Sequence, residues 1–259
     1  MLANKYNLIE KISEGQFGAV FKGQHIRTKE YVAIKFELTN DLNSLKNEAK
    51  IYHYLSHLEY FPHLKWFGIH NNAKFIAIDL LGQPLSHIIK HTWPLNLDAV
   101  TTIGIQMIQR LQTLHEHFLL HRDIKPDNFL FGLNDTNKLY LIDFGLCKRY
   151  DFNGIHIEQK RVNNIIGSPN FISIHVHQYM EPGRRDDLES CIYIILYMLI
   201  GPLEWFGTTD METMYRLKRE LTFKADVPLV VRDVLRYIRT LQFSDTPDYE
   251  YIIQLLKNN

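Results

Sequence analysis

Cysteine is scarce in this chain: Cys147 and Cys191 are the two among 259 residues. That is too few for a disulfide framework. Cys191 opens an apolar run and is expected as a buried thiol, whereas Cys147 lies in a more polar stretch. Charge of one sign is lacking too. Twenty-nine basic residues face 29 acidic ones, so whole-chain charge lends no support to a nucleic-acid reader. The longest apolar run, 191–201, falls well short of the roughly 18–20 residues a membrane helix needs. It reads as a helix buried on all sides. No internal repeat or low-complexity segment is visible, which excludes a solenoid. Residues 1–7 lack the basic-then-apolar pattern of a secretory leader, and no basic cluster marks nuclear import. The expectation is a soluble monomer of the cytoplasm, the nucleus or both, without membrane or nucleic-acid partners.

What is present is a chain rich enough in apolar residues, at 46%, to fold around a substantial core. The first part reads as short strands. Residues 6–12 lead into a glycine turn, 19–23 and 31–36 follow, and 66–69 and 74–78 close the set. One helical spacing interrupts them: Leu45, Ala49, Tyr52 and Leu55 recur within 45–58. After Gly82 and Pro84 the pattern changes to long helices at 97–118, 185–200 and 228–241, with strand fragments at 129–131 and 139–142. The predicted class is α+β, with a small β-rich lobe carrying one key helix and a larger helical lobe. A cleft between two such lobes is a favoured place for a ligand.

Three features carry chemistry. Ser13-Glu14-Gly15-Gln16-Phe17-Gly18 is a turn between strands, where glycines let backbone N–H groups approach phosphate oxygens. By itself such a pair of glycines is more often just a hairpin turn. Lys35 sits in the apolar strand Val32-Ala33-Ile34-Lys35; a buried ammonium needs an anion, and Glu48 on the following helix is the candidate. The strongest feature is His121-Arg122-Asp123-Ile124-Lys125-Pro126-Asp127-Asn128, with Asp143-Phe144-Gly145 fifteen residues beyond Asn128. A carboxylate, a lysine at plus two, an amide at plus five and a second carboxylate after a strand meet the demands of phosphoryl transfer. One carboxylate takes the proton of an attacking hydroxyl, and Asn128 and Asp143 hold Mg²⁺ against phosphates.

In this order the features resemble a eukaryotic-type protein kinase, and the likeness runs over nearly the whole chain. The resemblance implies a single kinase domain over 1–259: small lobe about 1–78, hinge about 79–83, large lobe about 84–259. It implies ATP and Mg²⁺ as cofactors and a protein substrate. Lys35 would hold the α- and β-phosphates and pair with Glu48, Asp123 would be the catalytic base, and Lys125 would meet the γ-phosphate. Ile12, Gly15, Gly18, Val20 and Ala33 would line the nucleotide. Ile78 would be the gatekeeper, and the backbone from Asp79 to Leu81 would bond adenine. Lysine at plus two is similar to serine/threonine kinases.

More narrowly, Asp79-Leu80-Leu81-Gly82, the 121–130 loop, Arg184-Arg185-Asp186-Asp187-Leu188-Glu189-Ser190 and Ser173-Ile174-His175 resemble the casein kinase 1 family, with vaccinia-related kinases as the nearest alternative. That likeness implies a preference for acidic or already phosphorylated substrates, with Arg184 at a substrate anion site. Lys148, Arg149, Lys160, Arg161 and Arg185 add basic charge to the same stretch. The pattern departs from the family at Ser13, which stands for the first loop glycine, and at Pro169-Asn170, which stands for an Ala-Arg pair. The presence of Lys35, Asp123 and Asp143 speaks against a kinase fold used only for binding. The long stretch from Asp143 to Arg185, a peptide platform in protein kinases, speaks against a small-molecule kinase. Between Asp143 and Gly167 the one hydroxyl side chain is Tyr150, with no serine or threonine, so activity independent of phosphorylation in this segment is expected.

Overall fold

The computed structural model describes residues 2–15, 18–37 and 44–258. Gln16 and Phe17 of the glycine turn lie outside the described residues, as do Met1 and Asn259. The chain forms two compact units. The first comprises 1–83 and 130–145, and the second 84–129 and 146–259.

The first unit is built on a five-stranded antiparallel sheet in the order β1-β2-β3-β5-β4. Its strands are β1 (Tyr6–Gly15), β2 (Gly18–His25), β3 (Tyr31–Glu37), β4 (Leu64–His70) and β5 (Ala73–Asp79), with helix α1 (Ser44–Leu55) between β3 and β4. Alternation along β3 and β5 puts Val32, Ile34, Phe75 and Ala77 on one face, where they pack with Leu2 and Tyr6 into a core. The opposite face receives Val20, Ala33, Lys35 and Ile78, because Val20 pairs with Lys35 and Ala33 with Ile78 in the register. Helix α1 buries Leu45, Glu48, Ala49, Tyr52 and Leu55. These are the positions of the expected helical spacing, with a glutamate added to the stripe.

The second unit starts with α2 (Leu85–Thr92) and α3 (Leu97–Glu116). Asn96 caps α3, its side-chain oxygen accepting the Ala99 N–H. The short β6 (Leu119–Leu120) precedes the polar loop. Strands β7 (Phe129–Phe131) and β8 (Leu139–Leu141) form a two-stranded ribbon where the chain returns to the first unit. Beyond it come β9 (Lys148–Arg149), the ribbon β10 (Asp151–Phe152) with β11 (Ile155–His156), and α4 (Ile174–His177). Four longer helices follow: α5 (Arg184–Ile200), α6 (Met211–Glu220), α7 (Leu229–Thr240) and α8 (Tyr249–Lys257). Helix α5 is buried on nearly all sides, as its unbroken apolar run requires, and it packs on α3 and α7. Gly104 of α3 permits this approach, since a Cβ there would sit 3.0 Å from Ile195.

The β-rich first unit with one helix and the larger helical second unit make the expected two-lobed kinase fold. One boundary between the units follows Gln83. Residues 130–145 belong to the first unit, tied there by backbone bonds from Gly82 to Phe131, Phe131 to Gln83 and Leu141 to Tyr60. Helices α2, α4, α6 and α8 were not among the sequence expectations.

Candidate active site

In the first unit, β3 and α1 bring Lys35 and Glu48 together. The Lys35 ammonium donates to both Glu48 oxygens at 3.0 and 2.9 Å and to Asp143 Oδ1 at 2.7 Å. Burial works against the ammonium, but the Glu48 and Asp143 carboxylates outweigh it and hold Lys35 above the usual lysine value. Burial also pushes the Glu48 carboxyl up to about 7, with Lys35 pulling against it. Asp143 has a backbone φ of 65°, which is uncommon for a non-glycine residue. Its N–H donates to the Tyr52 hydroxyl at 3.0 Å, and the Tyr52 ring packs edge-on to Phe144 at 4.9 Å. Tyr52 was recognised only as a core position; its place one helical turn after Glu48 is the signal that puts its hydroxyl near the same strand end.

The nucleotide-lining set is brought together in part. Val20, Ala33, Lys35 and Ile78 share a sheet face, while Ile12 on β1 is half exposed. Gly15 and Gly18 pair across the β1–β2 turn. A Cβ on Gly18 would lie 1.9 Å from the Phe36 carbonyl oxygen, so only glycine fits there. The Asp79 side chain is engaged by its neighbours: it accepts from the His63 N–H at 2.8 Å and pairs with Lys65 at 2.9 Å. Leu81 follows β5 and precedes Gly82 at the end of the unit.

In the second unit the polar loop 121–128 is pinned from α5. Asp187 accepts the backbone N–H groups of His121 and Arg122, each at 2.8 Å, and meets His115 Nε2 at 3.0 Å. Burial alone would raise its pKa, but these donors hold the carboxyl below its ordinary value. The pinned loop turns through Arg122 at a φ of 68° and presents Asp123. One Asp123 oxygen accepts the Lys125 ammonium at 2.6 Å, and the other accepts the Ser168 hydroxyl at 2.7 Å. Asn128 donates its amide N–H to the Asp123 carbonyl at 2.8 Å, which directs its amide oxygen away from that bond. Ser168 and Asp187 add to the expected residues. Asp187 lay inside a segment read as a family signature, while Ser168 needed the tertiary structure.

The Asn128 amide oxygen and the Asp143 carboxylate are hard oxygen donors of the kind Mg²⁺ takes, and Mg²⁺ completes its shell with water and phosphate oxygens. No cluster of three or more His, Cys, Asp or Glu side chains suited to a metal occurs among the described residues. Mg²⁺ beside phosphates does not use a full protein cage, and each residue by itself offers the kind of oxygen it takes.

Arg184, the residue expected at an anion site, opens α5 in the second unit. Arg184 is buried, its guanidinium donating to the Tyr150 hydroxyl at 3.2 Å and the Ser244 carbonyl at 2.6 Å and lying over the Tyr150 ring. Arg185 is buried as well and donates to the Leu241 carbonyl. These bonds hold the start of α5 against Tyr150, Ser244 and Leu241, while the Nε atoms of both arginines are buried without a hydrogen-bond partner among the described residues. Lys148 pairs with Glu181 at 2.8 Å, and Arg149 lies over Phe118 and Phe152. Of the basic residues named in this stretch, Arg149, Lys160 and Arg161 are exposed and carry no ion pair among the described residues, and Arg149 is engaged with the two rings.

A model of the protein kinase domain matches residues 6–251, a span that takes in the Lys35–Glu48–Asp143 contacts, the Asp123 loop and α5 beneath it. The chain belongs to the protein kinase domain family, a membership that implies ATP-dependent protein kinase activity.

Proposed function

We propose that this is a serine/threonine protein kinase of the casein kinase 1 type, one kinase domain over 1–259, acting as a monomer in the cytoplasm or nucleus on acidic or phospho-primed proteins. The observation that carries the reading is the Asp123 carboxylate, buried and flanked by Lys125 at 2.6 Å and Ser168 at 2.7 Å. In this reading Asp123 accepts the proton of the substrate hydroxyl as that oxygen bonds the γ-phosphorus and the bond to ADP breaks. Lys125 neutralises the transferring phosphoryl group, and Lys35, held by Glu48, binds the α- and β-phosphates. Asn128 and Asp143 would supply oxygens to Mg²⁺, which would neutralise phosphate charge. Val20, Ala33, Ile12 and Ile78 contact adenine, the backbone of Asp79 and Leu81 bonds its edge, and the Gly15–Gly18 turn covers the phosphates. Lysine two residues after the loop aspartate supports serine or threonine as acceptor. The acidic preference rests on exposed Lys160 and Arg161 rather than on buried Arg184.

The test is a set of peptides with ATP and Mg²⁺. Asp123→Asn is expected to lose about 10²-fold or more in turnover, in line with removal of a general base, while staying folded. Serine and threonine peptides with acidic or phosphorylated residues upstream should be preferred, and Lys160→Ala with Arg161→Ala should raise KM for the primed peptide most. Near-normal turnover by folded Asp123→Asn removes the mechanism; preference for upstream basic residues removes the substrate reading.

A further inference from the structure

Helix α6 reads as a charged surface helix, yet Lys218 in it is fully buried. Its Nζ donates to the Pro169 carbonyl at 2.7 Å and the Ile172 carbonyl at 2.9 Å, and meets His177 Nε2 at 3.1 Å. Two carbonyls accept two of the three N–H bonds of an ammonium, and the His177 ring nitrogen lies within reach of the third. The rings of Tyr193 and Trp205 close over it at 5.0 and 5.4 Å. Trp205 donates its indole N–H to the Asn170 carbonyl at 2.8 Å. Three carbonyls within four residues are thus held from one side by two side chains.

The same turn is closed from within, as the Phe171 and Ile172 N–H groups both donate to the Ser168 carbonyl. At its front end Ser168 bonds Asp123, and at its far end Ser173 bonds Asp186. Removing an ammonium from water costs several kcal/mol even when it is hydrogen-bonded, and the bonds it makes keep the Pro169 and Ile172 carbonyls from being left without a donor. What the lysine adds is direction: it turns the carbonyls of Pro169 and Ile172 inward and fixes the conformation of 168–172 beside Asp123.

We propose that Lys218 is a positioning residue for the peptide substrate, shaping the 168–172 turn on which the peptide lies. The proposal rests on the reading that the stretch from Asp143 to Arg185 carries the peptide. The experiment compares wild type, Lys218→Met and Lys218→Arg in steady-state kinetics with ATP and a peptide, together with amide hydrogen exchange. In Lys218→Met, KM for peptide is expected to rise about tenfold or more with KM for ATP within twofold. Exchange should quicken at Phe171 and Ile172. Lys218→Arg, which keeps charged N–H donors, should recover part of the peptide KM, which a loss of packing alone would not give. If Lys218→Met does not fold, Lys218→Gln, with two N–H donors, takes its place. An unchanged peptide KM in either folded variant, or equal losses for ATP and peptide, overturns the proposal. A wild-type protein that transfers phosphate to no peptide at all overturns the platform reading, and this inference with it.

Discussion

Replacing Lys35 by Met separates the role of the ion pair in folding from its role in phosphate binding. The ammonium contacts three carboxylate oxygens within 3.0 Å, and Glu48 is 2% exposed. Without Lys35 a bare Glu48 carboxylate would be buried beside Asp143, at a cost of ~3–5 kcal/mol. The alternative is to bind a proton. In wild type, burial has already pushed Glu48 up to about 7 against the pull of Lys35; removing the lysine raises it further. The unfolded chain holds Glu48 near its ordinary value of 4.5, so above neutral pH the folded variant binds a proton that its unfolded chain lacks, and its stability falls as pH rises. Wild type above pH ~7 carries the proton in neither state and stays level. The gap between the two should widen by about 1.4 kcal/mol per pH unit above 7 until the bare-charge cost caps it. Urea denaturation at pH 7.0 and 8.5 should show the gap growing by ~2 kcal/mol. The double variant Lys35→Met/Glu48→Gln should recover most of the stability and none of the phosphoryl transfer. A gap that does not change with pH, or transfer restored by the double variant, would refute the reasoning.

Two further outcomes are expected. Tyr52→Phe keeps the ring against Phe144 but leaves the Asp143 N–H without its acceptor, at ~1–3 kcal/mol; turnover should fall several-fold with peptide KM unchanged, and an unaffected kcat would remove Tyr52 from the site. Tyr150, the one hydroxyl between Asp143 and Gly167, is buried, and Glu181 already pairs with both Arg122 and Lys148. Unphosphorylated protein verified by mass should thus be active and Glu181→Gln much less so, whereas wild type that stays inert until an upstream kinase is added contradicts the assignment.

Much of this was legible in the sequence because the chemistry-bearing residues are local or adjoin regular elements. Period-two strands around Lys35 and a helical stripe through Leu45, Ala49, Tyr52 and Leu55 placed Glu48 opposite the lysine, and the 121–128 loop carried Asp123, Lys125 and Asn128 in one short stretch. The unbroken apolar character of 191–200 identified a helix buried on all sides. Helix α6 was not legible, because its inward positions are Met214 and Lys218, and a lysine at a core position erases the apolar period that marks a helix. Only the tertiary structure decided which charges face inward. Arg184, Arg185, Lys218 and Glu181 have the composition of a solvated surface, but backbone carbonyls and opposite charges brought in from distant parts of the chain bond to them. Pairing over 34 to 60 residues, as from Arg184 to Tyr150 and to Ser244, leaves no periodic trace in a sequence, since it depends on how helices pack and not on how the local backbone folds.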